Sequence, residues 1–292
     1  TQMVGEFPEL QGQMGQYYAQ ADGEPPAVAQ AIGEHYSPRF AGDGIPSSTE
    51  GQLVSIADRL DTLVGIFAAG LKPTGNKDPF ALRRAALGLV RILLEARLNL
   101  SLTELISLAF KEFTGDIAAD SDTCSNVRDF IAERLRHYYN GQGHSTELVN
   151  AVLTSGWDTL PDLDSRLNAI KDFMGQDAAQ SLAAANKRIG NILRKSESGG
   201  SGEIIQNSLT IDEERRLFDE IIQTEKAVTP LLDNSDYRSA LALLAQLQEP
   251  VSDFFDAVMV MDEDPVLREN RLAILARLKS QFDRIADLSV LV

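Results

Sequence analysis

The residues best suited to chemistry lie in the block Lys72-Pro-Thr-Gly-Asn-Lys-Asp-Pro-Phe-Ala-Leu-Arg-Arg-Ala-Ala86. Lys72, Lys77, Arg83 and Arg84 gather around a helix start in a chain whose net charge is −16. Exposed N–H groups and the helix dipole at such a start favour an anion, a phosphate above all. Gly70 and Gly75 let the backbone come close to a partner. The same cations also suit a solvated loop in which Arg83 or Arg84 pairs with a carboxylate. The separation of Gly70 and Gly75 imitates a P-loop, but Asn76 intervenes before Lys77 and Asp78 replaces the magnesium-binding hydroxyl. A helical pattern rather than a strand precedes the segment, so a P-loop is rejected.

A second group of cations, Lys187, Arg188, Arg194 and Lys195, ends a helical stretch, where positive charge suits the dipole and where phosphate contact is an added possibility. Arg268, Asn270 and Arg271 open the last helix. They can face nucleic acid, or can cap and pair with Asp262, Glu263 and Asp264. Phe254, Phe255, Met259 and Met261 can stack bases, although their spacing fits a core stripe better. Asp58 and Asp61 lie three apart on one helix, a spacing open to metal binding or to local salt bridges. The chain has three histidines, His35, His137 and His144, and no His-Asp dipeptide. Nucleophile-elbow, zinc-protease and dinucleotide signatures are absent.

These residues need helices to position them. Leu53, Ile56, Leu60, Leu63, Val64 and Phe67 recur at three and four over 51–68. Asp78-Pro79 predicts the cap and first residue of the next helix. Further helices are predicted over 101–113, 126–140, 145–154, 162–174 and 177–195. The run Ser196-Glu-Ser-Gly-Gly-Ser-Gly202 has linker composition and predicts a domain boundary. Beyond it, four helices are expected, beginning with a capping box at Thr210-Ile-Asp-Glu213 and followed by starts at Ser235, Pro250 and Asp264-Pro265. The fold class is all-α.

The 292 residues suffice for about two domains. A lone cysteine, Cys124, excludes an intrachain disulfide framework and suits a reducing compartment. With no apolar run of membrane-spanning length and no signal-peptide layout, the expectation is a cytoplasmic protein and no membrane partner. The chain opens at Thr1 without an initiator Met, as a fragment of a longer protein would. The strong acidity argues against diffuse nucleic-acid binding, so any such surface must be a grouped basic patch.

Several phrases together carry a family resemblance: Glu6-Phe-Pro-Glu-Leu-Gln-Gly12, Tyr17-Tyr18, Glu34-His-Tyr36, Ala57-Asp-Arg-Leu-Asp-Thr-Leu-Val-Gly65 and the Lys72–Arg84 block. Ala185-Asn-Lys-Arg188, Phe254 to Met261 and Leu267-Arg-Glu-Asn-Arg-Leu272 continue it. The chain resembles the C-terminal region of the bacterial glycyl-tRNA synthetase β subunit. The resemblance implies a degenerate HD-like helical domain over 1–198, a linker over 199–207 and an anticodon-binding bundle over 208–292. It implies a tRNA-binding, non-catalytic region that positions glycine tRNA for the α subunit of an α2β2 assembly. ATP and magnesium would then sit on the α subunit, with no cofactor or metal in this region. Asp58 would be a remnant of the HD metal site. Lys72, Lys77, Arg83, Arg84, Lys187, Arg188, Arg268, Asn270 and Arg271 are the candidate tRNA contacts. The 208–292 segment itself carries a net charge of about −8, so its contact surface has to be local. Two other readings stay open: a metal-dependent HD-type phosphohydrolase using Asp58 and Asp61, and a helical adaptor that binds protein.

Overall fold

A computed structural model describes residues 2–75, 77–113, 122–196 and 198–292. Its regular elements are helices: α1 (Gln2–Glu6), α2 (Gln13–Ala21), α3 (Pro26–Glu34), α4 (Thr49–Ala68), α5 (Leu82–Glu95), α6 (Leu102–Glu112) and α7 (Thr123–Gly141). There follow α8 (Thr146–Thr154), α9 (Leu160–Phe173), α10 (Asp177–Lys195), α11 (Asp212–Asp233), α12 (Tyr237–Leu244), α13 (Gln248–Ala257) and α14 (Pro265–Asp283). Among the described residues there is no sheet, only an isolated bridge between Thr74 and Lys77. The fold is all-α.

The chain forms two compact units. The first comprises residues 1–143 and 158–161, and the second residues 144–157 and 162–292. In the first unit α4 is the central helix, in contact with α3, α5, α6 and α7. Its apolar stripe, Leu60, Leu63 and Val64, is buried, as are Leu82, Leu89 and Leu93 of α5 and Ile131 and Leu135 of α7. The hydrophobic periodicity therefore converts directly into the core. Ser48 caps α4 by accepting from the Gly51 N–H at 3.0 Å. Glu34 then holds the cap, accepting from the Ser48 amide at 3.0 Å and from the Ser48 and Ser47 hydroxyls at 2.7 Å. Burial opposes ionisation of Glu34, but these bonds and one from Gln30 outweigh it and lower its pKa to about 2.

The second unit packs α10 against α13, α14 and the 3-10 turn Leu288–Val290, while α11 contacts α12, α13 and α14. The described residues of the predicted linker belong to this unit. Gly200 is buried with φ +76°, and a Cβ there would lie 2.6 Å from the Leu272 carbonyl and 2.8 Å from the Ala276 side chain. Both facts demand glycine. The expected linker over 199–207 falls inside the second unit, which begins well before it.

The helix expected to open at Ser235 begins two residues later at Tyr237, the one expected at Pro250 begins two residues earlier at Gln248, and two further starts are capped differently from expectation. Asp78-Pro79 does not open α5. Ala81 takes a left-handed conformation (φ 54°) and the helix begins at Leu82. The Asp78 carboxylate still caps it, accepting from the Leu82 N–H at 2.8 Å and the Arg83 N–H at 3.0 Å. In α11 the cap shifts by one residue. Glu214 rather than Glu213 reaches back, accepting from the amides of Thr210 at 2.9 Å and Ile211 at 3.2 Å.

Candidate nucleic-acid interface

In the first unit, the basic block divides. Thr74 and Lys77 exchange both backbone hydrogen bonds across a tight turn, with Gly75 at φ +51°. Lys72 and Lys77 are exposed, and the Lys72 ammonium lies 6.0 Å from the Phe67 ring centre. Arg83 folds back to donate to the Gly75 carbonyl and so braces the turn. Arg84 is exposed and takes the opposite part of the block, lining a cleft with Asp58, Arg59 and Arg39. The amides of Leu82 and Arg83 are not open to a foreign anion, because Asp78 already supplies one.

Asp58 and Asp61 are exposed on α4. Among the described residues, no three His, Cys, Asp or Glu side chains converge as a metal site would require. Their neighbour Arg59 is 6% exposed and donates to the carbonyls of His35 at 3.3 Å, Tyr36 at 3.2 Å and Pro38 at 3.0 Å. It ties the 35–38 loop to α4. His35 is a packing residue, its Nδ1 2.9 Å from the Ile32 carbonyl and its ring against Tyr36.

In the second unit, two of the three candidates at the start of α14 are buried. Asn270 and Arg271 are each 3% exposed. Asn270 clamps the backbone of Ile205, accepting from its N–H at 2.7 Å and donating to its carbonyl at 3.1 Å. Arg271 donates to Glu214, to Asp262 at 2.6 Å and to the Met259 carbonyl at 2.9 Å. These two residues are corrected from candidate tRNA contacts to internal braces: a buried guanidinium needs buried acceptors, and it has them. Arg268 is partly exposed and donates to the Asp262 carbonyl at 3.1 Å. Of the four aromatic and sulfur candidates, Phe254 is fully buried, whereas Met259 and Met261 are 74% and 52% exposed.

Helix α10 carries the grouped cations. Ala184, Lys187, Arg188, Asn191, Ile192 and Lys195 recur at three and four residues and line one open groove of about 460 Å3. Leu182, Ala183, Asn186 and Ile189 occupy the opposite, buried face. The Arg188 guanidinium lies 4.1 Å from the ring centre of Phe255 on α13, a cation–π placement. Lys187 donates to the Val292 carbonyl, and Arg194 to the Asn191 side chain. Among the described residues, none of Lys187, Arg188, Arg194 and Lys195 is ion-paired, whereas every other arginine of this unit is. In a chain with 43 acidic and 27 basic side chains, four grouped cations without a carboxylate partner make this end of α10 a local basic face.

The family model described as "Glycyl-tRNA synthetase beta subunit" matches residues 1–154. The "DALR anticodon binding domain" model matches residues 182–288, which includes α10 from residue 182 onward. The glycine–tRNA ligase β subunit of Acinetobacter baylyi is 46% identical over 292 residues, and that of Ralstonia nicotianae 47% identical over 291. In each case the alignment covers 100% of this chain and 42% of the relative, so the chain spans less than half the length of the curated relatives it matches. The chain belongs to the glycyl-tRNA synthetase β-subunit family.

Proposed function

We propose that this chain is the tRNA-gripping region of a glycine–tRNA ligase β subunit. It binds glycine tRNA and positions it for aminoacylation on an α subunit, where ATP and magnesium are held. The observation that carries this reading is the unpaired basic face of α10 inside the residues matched by the anticodon-binding model. Lys187, Arg188 and Lys195 contact phosphates and so fix the register, while nearby exposed side chains meet unpaired bases. Met259 and Met261 are suited to the second task, because the buried Arg271 brace pins the backbone that presents them. Lys72 and Lys77 supply a separate contact on the first unit. The setting is the cytoplasm, where the tRNA pool is, and no described helix is long and apolar enough to cross a membrane.

The test is fluorescence anisotropy with labelled glycine tRNA, a copy with altered anticodon bases and an unrelated tRNA. Tighter binding of the unaltered glycine tRNA supports a grip that reads bases. Equal binding of all three reduces the function to backbone contact, and no binding at low salt rejects the reading.

A further inference from the structure

The first unit carries an apolar groove of about 380 Å3 walled by α4 and α6. Helix α4 lines it with Leu53, Ile56, Ala57 and Leu60. Helix α6 lines it with Leu105, Leu108 and Ala109. In both helices these positions recur at three and four residues, so each wall is a single apolar stripe. Ile56 and Leu60 form the floor, each 4% exposed. Leu53 and Leu108 stand on the rim, 54% and 58% exposed. Scattered exposed leucines need no explanation, but a continuous apolar surface with a polar rim marks a site of interaction.

The charged side chains that line this groove are both acidic. Each stripe ends in a carboxylate one turn further on: Asp61 follows Ala57 on α4, and Glu112 follows Leu108 on α6. Both are exposed, and among the described residues neither forms an ion pair or a hydrogen bond. Glu112 is also the last residue of α6, where the helix dipole adds to the negative potential. Lys111 precedes it but is not part of the lining. The groove therefore pairs an apolar channel with a negative rim that no basic side chain of the lining offsets.

Shape and charge select the occupant. A channel between two helical stripes receives the apolar stripe of a third helix, ridges into grooves. A small-molecule site would need several convergent polar groups to fix orientation, and here the two carboxylates stand alone. Their charge calls for cations beside the apolar anchors. We propose that this groove docks a basic amphipathic helix of a partner chain. That helix has apolar side chains at i, i+3, i+4 and i+7 and places Lys or Arg over Asp61 and Glu112. The proposal concerns the first unit alone and does not rest on the tRNA reading of α10.

The experiment is fluorescence anisotropy of the whole chain with a labelled synthetic helical peptide. The peptide carries leucines at i, i+3, i+4 and i+7 and lysines flanking that stripe. One control peptide replaces the leucines by glutamine, and another replaces the lysines by glutamate. The leucine–lysine peptide is expected to bind saturably and at least tenfold more tightly than either control. Leu53→Gln combined with Leu108→Gln should weaken it at least tenfold while the chain stays folded, because both side chains are exposed. Asp61→Lys combined with Glu112→Lys should turn the preference toward the glutamate peptide. Absence of saturable binding overturns the proposal. So does equal binding of the glutamine control, which would reduce the contact to attraction between a cationic peptide and an acidic chain. Sedimentation gives a further check: a dimer that Leu53→Gln with Leu108→Gln dissolves would assign the groove to a second copy of this chain and overturn the proposal.

Discussion

The guanidinium of Arg188 lies 4.1 Å from the ring centre of Phe255, joining the exposed face of α10 to α13. The contact leaves the guanidinium edge free to donate to an incoming phosphate while the aromatic ring holds its plane. This fixed orientation distinguishes Arg188 from an ordinary surface arginine, whose side chain must give up rotamer freedom on binding. Phe255→Ala is therefore expected to weaken tRNA binding by a few-fold without removing any charge. The measurement is tRNA affinity beside thermal stability; an unchanged affinity in the folded variant contradicts this orienting role.

The Arg271–Glu214 pair is buried on both sides, with side chains 4% and 1% exposed. Removing one partner strands the other in an apolar surround. Arg271→Ala should cost about 3–5 kcal/mol in denaturant unfolding, and Arg271→Met combined with Glu214→Leu should recover a large part of it. An Arg271→Ala loss below about 1 kcal/mol would show that water reaches the pair.

Gly88 gives a prediction whose sign is unusual. Helix propensity alone makes Gly→Ala within α5 stabilising by about 1 kcal/mol. A Cβ at this position would lie 2.4 Å from Arg59 Nε and 3.0 Å from its guanidinium carbon. The side chain cannot easily yield, because three carbonyls hold it. Gly88→Ala should instead destabilise by about 1–3 kcal/mol; a rise in melting temperature would contradict the packing described.

Glu34 gives a pH signature. Its folded pKa is about 2, against an ordinary value of 4.5. The depressed value means that its contribution is fully present above pH 4.5 and is lost as the pH falls from there toward 2. Glu34→Gln should lower stability at neutral pH by about 1–2 kcal/mol, the scale of one or two lost hydrogen bonds. The stability curves of the two proteins should converge in acid. Parallel curves across that window would exclude the linkage.

Helix periodicity made most of the fold readable from the sequence. The stripe of Leu60, Leu63 and Val64 has to be buried, and it is. The grouped cations of α10 were legible for the same reason, since residues three and four apart must share one face. The misreadings come from information that lies far away in the chain. Nothing near Arg271 announces Glu214, 57 residues earlier, as its partner. The start of α14 therefore reads as a charged surface although α14 buries residues on nearly every side. Likewise Ser196–Gly202 has linker composition, yet Gly200 is glycine because it packs against Leu272 and Ala276. The cleft in the first unit was hidden because its three arginines, Arg39, Arg59 and Arg84, come from separate segments, and of these only Arg84 belongs to the basic block.

The central claim is that the unpaired face of α10 grips tRNA. It is tested most directly by the salt dependence of glycine tRNA affinity for the unaltered chain and for a Lys187→Glu, Arg188→Glu, Lys195→Glu variant. These side chains are exposed, so the variant should stay folded, with a small loss of stability from the helix-end charge and from the Lys187–Val292 and Arg188–Phe255 contacts. The account predicts a steep fall of affinity with salt in the unaltered chain. In the variant, it predicts much weaker binding and a log–log slope shallower by about two to three, as expected for three lost phosphate contacts. Equal affinity and equal slope in the two proteins would contradict the account and move the tRNA-binding surface away from α10.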